Sequence, residues 1–332
     1  MKRILLLVAL FVSASVMAAD APPAPATAPV QVKEPHNNVR IWQDVRAGQP
    51  QVTTVRGIET GVLIQSGGET WRELRNGPVT LLGGLLLCVV LAAVAVFFKL
   101  RGPIKLKGQA SGKKIARFTY FERAVHWSMA GSFTILALSG LNMLFGKHVL
   151  LPIFGHTLFS WLAVLCKNLH NFVGPLFLVS IVVGFFIFVK DNIWRASDVQ
   201  WIRTAGGLLS GGHVPCWRFN FGEKFWFWIG LVFLGLSVSA SGFVLDFPNF
   251  GQGRDIMQTA DIVHSVFALM FVCLAVGHIY IGTIGMEGAL DAMRSGYVDE
   301  TWAREHHELW LEEQKSKAAK ATEPSSITAT QS

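Results

Sequence analysis

Five uncharged stretches of about twenty residues dominate this sequence: Val79–Phe98, Ala124–Phe145, Leu169–Val189, Phe225–Leu245 and Ile262–Met286. A helix of that length crosses a hydrocarbon core of roughly 30 Å. In lipid, only helices and closed barrels satisfy their own backbone polar groups. A soluble chain of 332 residues would disperse its apolar positions by helical or strand period instead of collecting them in blocks. The sequence therefore predicts an all-α, multi-pass transmembrane bundle. Composition agrees, since charged residues make up only 15% where soluble domains carry roughly 25%.

The chain ahead of these blocks divides by composition. Lys2 and Arg3 precede the apolar run 4–17, and Ala18, Ala19 and Asp20 follow it. That order reads as a secretory signal over 1–19, with an uncleaved anchor as the alternative. Residues 20–78 form a small periplasmic region, rich in Pro and Ala up to Pro35 and then polar. A strand-rich cap is expected in its second half. Residues 79–98 make a first helix and 99–117 a basic loop. A four-helix domain covers 118–286, and 287–332 form a charged C-terminal tail.

Charge asymmetry orients the spans. Lys99, Arg101, Lys105, Lys107, Lys113, Lys114 and Arg117 crowd the first connecting loop, which has no acidic residue. The next loop on the same side carries Lys190, Arg195, Arg203, Arg218 and Lys224, whereas the opposite loops hold only Lys147, Lys167 and Arg254. Cytoplasmic loops accumulate Lys and Arg, so five spans run inward from a periplasmic N-terminal region to a cytoplasmic C-terminus in a bacterial inner membrane. The formal charge of +7 thus reflects lipid head groups and topology, not a nucleic-acid partner. Val149–Cys166 is also uncharged, but Pro152, Gly155 and His156 interrupt it. It is expected to lie in the interface instead of crossing.

Cys88, Cys166, Cys216 and Cys273 lie far apart. They form no C-x-x-C-H for covalent haem attachment and no iron–sulfur spacing. Any haem here is held by side-chain ligation alone.

Four of the ten histidines fall in or at the ends of spans. An ionisable residue in the membrane is a functional candidate by default, although a lone histidine serves as often to bond two helices. His126 opens the second span on the cytoplasmic side and His170 opens the third on the periplasmic side. His264 and His278 share the fifth, fourteen residues apart. That separation is about 21 Å along a helix, within about 40° of one face. The natural pairs are His170 with His264 outside and His126 with His278 inside. Two imidazoles closing an iron suit electron transfer. Ala130, Gly174, Ala268 and Gly282 lie one turn beyond the four histidines, and Gly140 and Gly184 at the level of the other pair. These small residues would admit a porphyrin or simply favour helix packing. Arg123 would face a haem propionate or anchor the helix in head groups. His148 and His156 lie on the periplasmic side and His213 in a Gly-rich cytoplasmic loop, while His306 and His307, in the charged tail, are expected to be solvated or to contact partners.

From about Phe118 to Trp310 the chain resembles the gamma, cytochrome b, subunit of respiratory formate dehydrogenase. The resemblance rests on "YFERAVHW" at 120–127, "ALSG" at 137–140, "LHNFVG" at 169–174 and "FNFGEKFWFW" at 219–228. It continues through the His264/His278 pair to "SGYVDETWAREHH" at 295–307. It implies two b haems on His126, His170, His264 and His278. It also implies a quinone (menaquinone or ubiquinone) near Asn220, Gly222, Lys224 and His278. The implied partners are a catalytic alpha subunit, which oxidises formate, and a periplasmic iron–sulfur beta subunit. This chain would relay electrons and perform no chemistry on formate. Its first 117 residues depart from the short family form, and 61–77 are expected to contact the partner subunits. Two alternatives remain: the di-haem anchor of a hydrogenase or thiosulfate reductase, and a multi-pass transporter with packing histidines.

Overall fold

The computed structural model describes residues 39–49, 69–204, 206 and 214–322. The chain divides into two compact units, 1–68 and 69–332. The described part of the first contains one helix, α1 (Val39–Arg46), where the sequence suggests strands. Apolar residues at 39, 42 and 45 repeat every three positions, a helical period that outweighs the β-branched content. The signal segment 1–19 and residues 61–68 of the expected partner contact lie outside the described residues.

Among the described residues, the second unit carries five helices long and apolar enough to cross a membrane: α2 (Thr70–Arg101), α3 (Tyr120–Val149), α4 (Leu151–Phe188), α6 (Phe221–Asp246) and α7 (Arg254–Gly285). A short helix, α5 (Ala196–Arg203), lies between α4 and α6. Every predicted span corresponds to a longer helix, two of them ending one residue past its C-terminus, at Val189 and Met286. The first begins at Thr70 and bends at Gly77, whose backbone is non-helical just before Pro78.

Val149–Cys166 is not a separate interfacial helix. The chain turns at Gly155, with φ 72° and ψ 173°, a conformation that suits only glycine. From His156 it then runs unbroken through the predicted span to Phe188. Nothing between His156 and Leu169 stops a helix, so the two predicted pieces join. Even without the turn before Gly155, α4 is about 50 Å long, well beyond a hydrocarbon core of roughly 30 Å.

Helices α3 and α4 pack as a hairpin, with α6 and α7 against them. Phe177, Ile181, Phe227, Leu231, Leu234 and Phe271 fill the centre. Phe133, Phe177 and Phe271 form one aromatic cluster, with centroids 4.8 Å apart for Phe133–Phe271 and 6.1 Å for each of the other two pairs. Helix α2 lies outside this core with Gly83 as its one buried residue. It attaches through Trp71 N–H to Gln258 Oε1 (3.0 Å), Arg75 to the Met143 carbonyl (2.8 Å) and the edges of Phe97 and Phe98 on Tyr280.

One end of the bundle is capped. The basic loop contains β1 (Lys114–Ala116), which pairs antiparallel with β2 (Tyr297–Asp299). Around β2 lie α8 (Ala289–Ser295), α9 (Glu300–His306) and α10 (Glu308–Thr322). Carboxylates on the C-terminal side collect the loop's free N–H groups. Glu305 accepts from Lys107 and Gly108, and Asp299 from Ser111 and Gly112. Lys315 and Lys113 hold the Glu300 carboxyl down to about 2. The region expected as a charged tail is therefore folded: Trp310 and Leu311 are buried, and the helix continues to Thr322.

Candidate functional site

The four candidate histidines form two pairs. His170 of α4 and His264 of α7 have ring centroids 5.9 Å apart. His126 of α3 and His278 of α7 have theirs 6.5 Å apart. Two imidazoles ligating one metal from opposite sides, each at roughly 2.0 Å, bring their centroids to about 6 Å. Both pairs already have that spacing. The second lies at the capped end, the first toward the other end.

The uncapped pair is held by hydrogen bonds. Ser139 Oγ donates to the Ile135 carbonyl at 2.7 Å, so its single proton is in use. The 2.8 Å contact between Ser139 Oγ and His170 Nδ1 therefore has the imidazole N–H as donor. His264 Nδ1 lies 2.9 Å from the Val238 carbonyl, which can only accept, and 3.3 Å from Ser241 Oγ. Both rings thus carry their proton on Nδ1 and keep the Nε2 lone pair for a ligand. Glycine lets each ring come close. A Cβ at Gly140 would sit 3.2 Å from His170 Cε1, and one at Gly242 would sit 3.1 Å from His264 Cε1.

Aromatic contacts hold the capped pair. Trp226 stacks on His278 with centroids 4.3 Å apart and planes 5° from parallel. Trp127 meets His126 edge-on at 5.3 Å and anchors its own Nε1–H on the Met293 carbonyl. His126 Nδ1 is buried with no hydrogen-bond partner among the described residues.

Residues 117–296, more than half of the chain, match the family model described as prokaryotic cytochrome b561. The chain belongs to the prokaryotic cytochrome b561 family. Membership implies b-type haem, and the donor set fits it: two imidazole pairs at metal-spanning distance, and two glycines that open space at one of them. Among the described residues, no group of three or more His, Cys, Asp or Glu is placed to hold a metal ion.

Three relatives define the neighbourhood of this cytochrome b561 chain. The cytochrome b556(fdo) subunit of formate dehydrogenase from Escherichia coli K12 is 30% identical over 63% of this chain and 97% of its own length. The cytochrome b556(Fdn) subunit of the nitrate-inducible formate dehydrogenase of the same organism is 26% identical, over 64% and 98%. A formate dehydrogenase cytochrome b556 subunit from Haemophilus influenzae is 22% identical, over 60% and 84%.

Four of the other candidates, Asn220, Gly222, Lys224 and Arg123, lie at the capped end with structural partners. Asn220 caps α6, its side-chain oxygen accepting from Glu223 N–H at 3.0 Å. Gly222 packs against Trp201. Lys224 is buried, its ammonium bonded to both oxygens of Asp198 at 2.9 and 2.7 Å. Arg123 donates to the Arg294 carbonyl. Gly184 faces Met129 and Val125, while Gly174 and Gly282 meet nothing within 4 Å.

His307 corrects the sequence reading. It is 1% exposed, not solvated. Its Nδ1 donates to the Trp217 carbonyl at 2.7 Å, and its Nε2 accepts from Arg117 at 3.0 Å. Arg117 also binds Glu223 at 3.0 Å, and Arg218 bridges Glu122 and Asp191 at 2.8 and 2.6 Å. Burial pushes the His307 imidazole well below its ordinary value and the Cys216 thiol up to about 12. Sequence reasoning missed Ser139 and Ser241, although "LSG" at 138–140 and "ASG" at 240–242 are a repeated signal for them.

Proposed function

We propose that this chain is the membrane cytochrome b subunit of a formate dehydrogenase, carrying electrons from a periplasmic iron–sulfur partner to quinone on two b haems. The observation that carries this reading is the pair of histidine pairs sharing α7 at a fourteen-residue interval. Similarity to three formate dehydrogenase cytochrome subunits supports the choice of partner.

In this reading His170 and His264 would hold one haem, and His126 and His278 the other. Haem, when bound, supplies a one-electron carrier at each level. The protein's work would be to present a pair of imidazoles to each bound group and to keep substrate from it. The capped end is cytoplasmic, in keeping with its Lys and Arg residues. Quinone is taken there, beside His278 and the α6 turn. Asn220 and Gly222 form that turn, and Lys224 fixes it through Asp198. Catalytic alpha and iron–sulfur beta subunits oxidise formate and deliver electrons at the opposite face.

The test is made on the intact complex. His278→Ala should lose one haem and formate-driven quinone reduction, while formate oxidation with artificial dyes continues. Quinone reduction at the unaltered rate would remove the proposed exit site. Co-purification with a hydrogenase large subunit instead would remove formate as the substrate.

A further inference from the structure

The two histidine pairs differ in what holds them. At the uncapped pair each ring rests in a cradle of the same kind, built once on α3 and once on α6. In each a serine (Ser139 and Ser241) is followed by glycine (Gly140 and Gly242), and at His264 the Val238 carbonyl, three residues before the serine, accepts as well. Both serine hydroxyls are turned into their own helices, Ser139 toward Ile135 and Ser241 toward Ser237, each at 2.7 Å. Each cradle therefore presents only acceptors to a histidine Nδ1–H. At the capped pair, Trp127 and Trp226 meet the rings through their π faces and edges, and His126 Nδ1 has no partner among the described residues.

This difference has an electronic consequence. A hydrogen bond accepted from Nδ1–H draws the proton away and makes the other nitrogen a stronger donor to the metal. A stronger donor favours the ferric over the ferrous state and lowers the reduction potential. We propose that Ser139, with the matching cradle at Val238 and Ser241, is a positioning residue. It holds the potential of the His170/His264 haem below that of the His126/His278 haem. The inference rests on the two-haem reading above. It adds a direction, because electrons entering at the uncapped level then run downhill toward the capped one.

The experiment is a potentiometric titration of the full complex, followed by the b-haem absorbance, with low-spin electron paramagnetic resonance recorded in parallel. Wild type should show two one-electron waves. Ser139→Ala should raise the lower wave, shift the low-spin signal of that haem alone and leave the upper wave in place. Ser241→Ala should raise the same wave by less, since His264 keeps the Val238 carbonyl. Ser180→Ala is the control, because this buried serine bonds Ser128 and the Leu176 carbonyl and no histidine. It should move neither wave.

A two-haem Ser139→Ala complex with both waves unchanged overturns the proposal, as does a shift of the upper wave alone. Should Ser139→Ala fail to retain haem, Ser241→Ala decides: a raised lower wave supports the cradle and an unchanged one rejects it. A wild-type complex without b-haem absorbance would instead fail the functional reading itself, so the two failures are distinguishable.

Discussion

Phe133 and Phe271 meet with ring centroids 4.8 Å apart, midway between the two histidine levels. Phe271 is seven residues from both His264 and His278, and Phe133 and Phe177 are each seven residues beyond their own helix's histidine. Seven residues are about 10.5 Å of helix, so three helices place a phenylalanine in the same layer. Phe271 is 3% exposed and touches both other rings. Phe271→Ala should cost about 3 kcal/mol, the lower end of the Phe→Ala range because the unfolded helix stays in lipid. Thermal unfolding in detergent measures it, and an unchanged midpoint would show that the layer does not hold the bundle.

Much of this architecture is legible in the sequence because lipid imposes a length rule. Five uncharged runs become five helices, and the fourteen-residue interval on one helix puts His264 and His278 at two levels. Local pattern says less about what lies outside the spans. The join of residues 156–168 to α4 was hidden by Pro152 and Gly155, which break only the first turn. The capped end depends on pairs more than a hundred residues apart, such as Glu305 with Lys107 and Arg117 with Glu223. Nothing local in "AREHH" distinguishes the buried His307 from its neighbour. Ser139 and Ser241 acquire meaning only once a facing helix brings a histidine to them.

Lys224 and Asp198 form an ion pair with side chains 3% and 4% exposed. Removing one partner of such a pair leaves a buried charge uncompensated, at a cost of about 3–5 kcal/mol. Asp198→Asn should therefore destabilise strongly. The double variant Asp198→Leu with Lys224→Met should recover most of the loss, since apolar replacements avoid desolvation. Denaturation midpoints of the three proteins check this, and a double variant no better than the single one would contradict it.

His307 predicts an acid-sensitive cap. The unfolded imidazole takes a proton near 6.5, whereas the folded one, buried and facing Arg117, does so only well below that. Between those values the unfolded state binds more protons, so stability rises with pH. This contribution is complete above about 6.5 and is lost as pH falls below it. Hydrogen exchange over residues 296–311 should quicken as pH drops from 7 to 5, after correction for intrinsic exchange. In His307→Leu that dependence should flatten, and an unchanged dependence would assign the sensitivity elsewhere.

The histidine pairs are the centre of the account, and haem stoichiometry tests them most directly. A pyridine haemochrome assay on the purified chain should give two b haems per polypeptide. His126→Ala and His170→Ala should each give one, and the double variant none. A wild-type value of one or zero, or a single variant that keeps both haems, would contradict the pairing.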